Sequence, residues 1–185
     1  MLLIKDIKNE KYKLLMDYAF KKCDVVMFIF SDDGFHGKKL EKNHKTMDLF
    51  EKKFKKYILK HRNGTHWVGT QVGYKELKIE GYYDPPGFEK QFNIYFLKLA
   101  EPEKEYLLSN CDLFSWLNPK YPEDISFFKD GYCWINSVTH EEFCEICCEN
   151  ETEYNYLISL GLEDARKRFI PITKNELYYE DYGIK

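Results

Sequence analysis

Residues 122–161, PEDISFFKDGYCWINSVTHEEFCEICCENETEYNYLISLG, constrain the fold more than any other part of the chain. Asp130-Gly131 separates two apolar runs, 125–128 and 132–138. Glycine accepts positive φ without a Cβ clash, so the pair predicts a two-residue hairpin. A third run, 143–148, follows a polar break at 139–142. Asn150-Glu151-Thr152-Glu153 then predicts a helix start, with the Asn150 side chain capping a free N–H and Glu153 reaching back as the other half of a capping box. Gly161 closes that helix in the C′ position, and Leu162 supplies the hydrophobic contact that follows. The unit is a three-strand meander feeding one helix.

Upstream, residues 10–22 carry Leu14, Leu15, Tyr18 and Ala19 or Phe20 at helical spacing. DVVMFIF at 24–30 is a continuous run of β-formers, short enough for a strand buried on both faces in the middle of a sheet. SDDGFHG at 31–37 is a turn. Leu40, Met47, Phe50, Phe54, Tyr57, Ile58 and His61 recur at intervals of three and four, which predicts one long basic helix over 38–61. Two strands broken near Gly73 are expected over 65–83, a turn at 84–87 and a further strand at 92–99. Residues 101–110 are ambiguous, 113–122 form an aromatic connection, 169–173 are a late strand or a packed tail, and 178–185 fray.

The expected fold is α+β: a mostly antiparallel sheet of five to seven strands with two or three helices packed largely on one face. The strands follow one another without regular helical crossovers, which disfavours a doubly wound sheet. All 185 residues form one domain, with an N-terminal half (1–112) holding the basic helix, the meander and capped helix (113–165), and a tail (166–185).

Composition narrows the function classes. Aromatic content of 17% beside 32% charged residues fits a folded protein and opposes general disorder. The N-terminus has only a three-residue apolar run, and no stretch approaches the roughly 18 residues of a membrane span. Six cysteines without a signal peptide predict free thiols in a reducing cytoplasm. The net charge of −3 is unevenly distributed: residues 38–62 hold ten Lys/Arg against three Asp/Glu, and 101–165 hold three Lys against fifteen Asp/Glu. Such blocks either form two binding faces or attract one another within the fold.

PEDISFF, DGYCW and HEE within 122–142, together with KCDVVMFIF at 22–30, resemble a family of uncharacterised bacterial proteins of this size, some labelled stage III sporulation protein AH. The resemblance covers most of the chain. It implies a small cytoplasmic bacterial protein and brings no catalytic or binding residue with it.

Candidate chemistry is thin. Cys144, Cys147 and Cys148, with Cys133 and His140, are residue types zinc prefers, but a C-x-x-C in a strand points its sulfurs to opposite faces. Buried thiols and no metal are expected. Asp32, Asp33 and His36 follow the apolar strand directly, where paired carboxylates could hold Mg²⁺ for phosphoryl chemistry, although Asp and Gly are also ordinary turn residues. His140, with Glu141 and Glu142 beside it and Trp134 close in sequence, offers acid–base chemistry or a pH-sensitive contact. Tyr82 and Tyr83, ahead of a Pro-Pro-Gly turn, are expected at a contact surface. The lysines of 38–62 read as the solvated side of an amphipathic helix, and a pI near 6.0 argues against a dedicated nucleic-acid binder.

The expectation is a non-catalytic cytoplasmic binding protein without a cofactor. It recognises a protein partner through an acidic, aromatic-bearing surface formed by Tyr82, Tyr83, Trp134, His140, Glu141 and Glu142, in an immunity-like or phage-defence role. The alternatives are a metal-dependent enzyme acting on a nucleotide or phosphate compound, and a module sequestering a small nucleotide.

Overall fold

A computed structural model describes residues 1–32, 34–64 and 92–171. Asp33, the strands and turn expected over 65–87, the end of the 169–173 segment and the frayed 178–185 tail lie outside the described residues. Seven strands form one antiparallel sheet: β1 (Leu2–Ile4), β2 (Val25–Ser31), β3 (Ile58–Gly64), β4 (Phe92–Lys98), β5 (Glu123–Lys129), β6 (Tyr132–Val138) and β7 (Phe143–Ile146). Their order across the sheet is β1-β7-β6-β5-β2-β4-β3. The described helices are α1 (Asn9–Lys22), α2 (Lys38–Phe54), α3 (Glu101–Leu108) and α4 (Glu151–Ser159). The fold is the α+β arrangement the sequence predicts, with α3 resolving the ambiguous segment.

Position follows from hydrophobicity. Every residue of β2 is buried, and the strand sits inside the sheet between β4 and β5. Alternate β2 side chains join different clusters. Val26, Phe28 and Phe30 meet Tyr95 and Leu97 of β4, Phe127 of β5, and residues from all four helices: Leu15 and Met16 of α1, Phe50 and Phe54 of α2, Leu107 of α3, and Tyr154 and Leu157 of α4. Val25, Met27 and Ile29 join Phe92, Ile94, Phe96, Phe128 and Cys133 on the other face. Burying side chains of this size contributes roughly 1.5–3 kcal/mol each.

The meander forms as read. Asp130 (φ 49°) and Gly131 (φ 81°) both occupy the left-handed region that a tight hairpin turn between β5 and β6 demands. At the start of α4 the Asn150 side chain accepts a hydrogen bond from the Glu153 amide at 2.9 Å. Glu153 reaches back to the amide of Glu149 at 2.7 Å, one residue further than a standard capping box. At the other end Gly161 has φ +86°, the Gly161 amide donates to Ile158, and the Leu162 amide donates to Leu157. These are the two bonds of a Schellman motif, and Leu162 is buried beneath it.

One reading is corrected, and one strand went unread. The expected helix over 38–61 stops at Phe54, and Ile58–Gly64 turns back as β3, an edge strand paired with β4. Apolar residues at 57, 58 and 61 suit either period, and pairing with the open edge of β4 decides between them. His61 therefore stacks flat on Tyr95, with ring centroids 4.3 Å apart, rather than continuing a helix stripe. Second, the apolar run at the N-terminus is a strand, β1, paired with β7. Asp164 clasps this edge by accepting from the amides of Leu3, Arg166 and Arg168 and from the Tyr154 hydroxyl.

Gly161→Ala forces an alanine into left-handed backbone. We expect a loss of about 1–2 kcal/mol, read as a lower urea midpoint at unchanged m-value. An unchanged midpoint would show that this cap contributes nothing to stability.

Candidate functional site

Antiparallel pairing gathers the polar residues of interest at one end of the sheet. Ser31 at the close of β2 pairs with Phe92, Ile29 with Glu123, and Val138 with Phe143. Asp32, Asp124 and the 3-10 turn Thr139–Glu141 thus share this end.

The Thr139–Glu141 turn is the best-built feature there. Asp124 is 2% exposed and has φ 53°. Its Oδ1 accepts from the Thr139 amide at 2.7 Å and from the Thr139 hydroxyl at 3.1 Å. The Asp124 amide in turn donates to Thr139 Oγ1 at 3.3 Å. Burial pushes the Asp124 carboxyl above the usual carboxylate range, and Glu141 adds to the rise. The Thr139 hydrogen bonds and the His140 imidazole oppose it. Beyond this clamp the His140 and Glu141 side chains are 46% and 67% exposed, and Glu142 follows in left-handed backbone at φ 50°. The Leu113–Ser115 3-10 turn lies against this one. His140, Glu141 and Glu142 are therefore brought together on a rigid, outward platform.

The remaining candidates fare differently. Trp134, expected at a binding surface, is 2% exposed, and its indole N–H donates to Glu153 Oε1 at 3.0 Å. It is a core ring because the bulge between Phe127 and Phe128 leaves it facing α1 and α4 rather than solvent. Tyr82 and Tyr83 lie outside the described residues. Among those described, the exposed large aromatic is Tyr156 of α4, which packs on Tyr18 at 5.1 Å. It had no signal in the sequence beyond its place between the buried positions of a helix.

Asp32 is not gathered with His36. Its Oδ1 accepts from Asn43 Nδ2 at 2.8 Å and its Oδ2 lies 3.1 Å from His44 Nε2. Asn43 Nδ2 also donates to the Ser31 carbonyl at 2.9 Å. The carboxylate thus ties the end of β2 to the second turn of α2. His36 is exposed in the intervening turn, and Asp33 lies outside the described residues. Asn43 and His44 escaped the sequence reading, yet Asn43 was a legible signal: a polar residue on the apolar stripe of α2, fully buried in the structure.

The cysteines are structural. All six are free. Burial pushes the thiols of Cys23, Cys133, Cys144, Cys147 and Cys148 upward, that of Cys148 to about 12, so they stay protonated and unreactive at neutral pH. Among the described residues no three His, Cys, Asp or Glu side chains are placed to hold a metal ion.

Charge is arranged otherwise than the sequence blocks suggest. Part of the acidic half is engaged within the fold. Glu153 takes Lys22 at 2.9 Å, Tyr18 and Trp134; Glu149 also takes Lys22; Glu163 takes Lys11; Glu145 pairs with Arg166; Asp112 caps Phe114. None of these cations belongs to α2. The basic helix reaches the acidic half through the charge of Lys53 on buried Glu103, and the ion pairs named above draw on other cations.

Two outcomes are expected. Below the ordinary aspartate pKa of about 4, Asp124 is protonated in both the folded and unfolded chain, and its raised folded pKa contributes full stability. That contribution is lost as pH rises through the folded value. Asp124→Asn keeps the acceptor for Thr139 and should flatten this acid-side dependence in urea titrations from pH 3 to 7 while holding or raising stability at pH 7. Asp124→Ala leaves the Thr139 donors unsatisfied and should cost about 1–3 kcal/mol. In thiol titration, exposed Cys111 reacts at once, half-buried Cys147 more slowly, and the other four only on unfolding; three or more fast equivalents would contradict the burial argument.

Comparison with protein-family models, with curated proteins and with solved structures finds no match, so the assignments rest on the geometry above.

Proposed function

We propose that this chain is a non-catalytic binding protein that recognises a macromolecular partner through the acidic turn at His140, Glu141 and Glu142. The observation that carries the reading is the Asp124–Thr139 clamp. A buried carboxyl in left-handed backbone is an expensive way to hold a surface turn, and it fixes two outward carboxylates before any partner arrives. Pre-organisation of this kind lowers the ordering cost of association. Carboxylates on such a platform select a partner with a basic surface and raise its rate of encounter. Tyr156, on the exposed side of α4, offers an aromatic contact at a separate place.

The metal-dependent enzymatic alternative at Asp32 draws no comparable support. Both Asp32 carboxylate oxygens already face α2 side chains, and His36 is not among them.

The test is affinity purification of the tagged full-length chain from its own host. Glu141→Lys/Glu142→Lys should lower recovery of a stoichiometric partner about tenfold or more, while Glu105→Lys, an exposed carboxylate elsewhere, should leave it unchanged. Equal recovery with all three proteins would sink the assignment to this turn.

A further inference from the structure

The outward face of α2 is a ladder of unneutralised lysines, and nothing in the proposed acidic site uses it. At 100° per residue, Lys38, Lys42, Lys45, Leu49 and Lys52 fall within about 80° of one another, and Lys56 continues the line past the helix end. The buried residues Asn43, Phe50 and Phe54 centre about 140° around the helix from the ladder, so the ladder faces away from the core. All five lysines are exposed, and none has an ion-pair partner among the described residues. Glu41 and Asp48 border the row on one flank, each four residues before a lysine (Lys45 and Lys52), and the face keeps a net positive charge. Glu51 accepts from the Tyr95 hydroxyl at 2.6 Å. Lys39 and Lys53, on the other flank, sit over the rings of Phe35 and of Phe54 and Tyr106.

The geometry points to a second interface, in which this ladder binds the sugar–phosphate backbone of a single-stranded nucleic acid. Shape decides among anionic partners. Along a helix of about 25 Å the lysines stand about 6, 5 and 10 Å apart, with Leu49 in the wider gap, a row of like charge that matches a linear polyanion better than a rounded acidic protein patch. Leu49, 59% exposed in the middle of the row, supplies an apolar contact for a sugar or base, which a bare row of ammonium groups lacks. The net charge of −3 belongs to the whole chain and does not set the field at α2, because screening confines the influence of distant carboxylates to about 10 Å. The pI of the whole chain was therefore the wrong measure of this surface; the local field of α2 is the relevant one.

The experiment is fluorescence anisotropy of the full chain with a labelled poly-uridine RNA of about 20 nucleotides, over about 50–200 mM KCl. Binding in the micromolar range at low salt is expected. Five lysine contacts predict a log–log salt slope near −3.5, hence roughly a hundredfold weakening across that range. Lys42→Gln/Lys45→Gln/Lys52→Gln, all exposed and helix-compatible, should make the slope shallower by about 2 and weaken binding at least about tenfold. The control Lys5→Gln/Lys13→Gln/Lys21→Gln should leave both unchanged. No binding at low salt overturns the proposal, as does equal loss in the two triple variants. Equal or tighter binding to poly-glutamate or to phosphatidylserine vesicles overturns it as well, in favour of an acidic protein or a membrane surface.

Discussion

A strand that is apolar at every position cannot have a wet face, and β2 is such a strand. Its burial requires neighbours on both edges and cover on both faces, and the rest of the architecture answers that demand. β4 and β5 flank it in antiparallel register, and α1 to α4 all contribute side chains to the cluster on one of its faces. The aromatic excess of the sequence belongs to this arrangement. Phe28, Phe30, Phe50, Phe54, Tyr95 and Tyr106 pack edge to face or tilted against one another, so rings that might have served a surface instead fill the space between α2, α3 and the sheet.

Buried polar groups hold the periphery to this core. Each carries its own hydrogen-bond account: Asp164 clasps the N-terminal edge, Glu153 collects Lys22, Trp134 and Tyr18, and Asp124 clamps the acidic turn. They differ in what burial does to them. Burial alone would raise the Asp164 pKa, but the amides of Arg166, Leu3 and Arg168 outweigh it and hold the carboxyl below its ordinary range. Asp124 has one amide and one hydroxyl and ends above that range. Glu103, buried in the first turn of α3, is likewise raised by desolvation, which outweighs the backbone groups of Glu103 and Ala100 and the charge of Lys53. In each case the balance between desolvation and the donors the carboxylate meets sets the direction.

The same engagement separates the two charge blocks that look equivalent in the sequence. Carboxylates are short and drawn inward by amides and by cations on α1 and the C-terminal segment. The lysines of the outward row of α2 extend from the exposed side of an amphipathic helix and make no ion pair among the described residues. One block is therefore divided between internal wiring and surface, and the lysine row of the other lies wholly on the surface.

Local chemistry was legible in the sequence wherever a few neighbouring residues decide the outcome. The Asp130-Gly131 hairpin, the Asn150 cap, the Gly161 stop, the central place of β2 and the exposure of His140–Glu142 were all readable from short windows, because turns, caps and strand runs depend on φ preferences and on side chains within about four residues. What only the tertiary structure decided involves partners far apart in the chain. Ile58–Gly64 became a strand because β4 offered an edge; Leu2–Ile4 became one because β7 and Asp164 offered another. Asp124 found Thr139, Asp32 found Asn43 and His44, and Trp134 turned inward to Glu153. None of these pairings leaves a spacing signature, since hydrogen bonds and burial across a sheet are set by register, and register is fixed only when the whole apolar face is assembled.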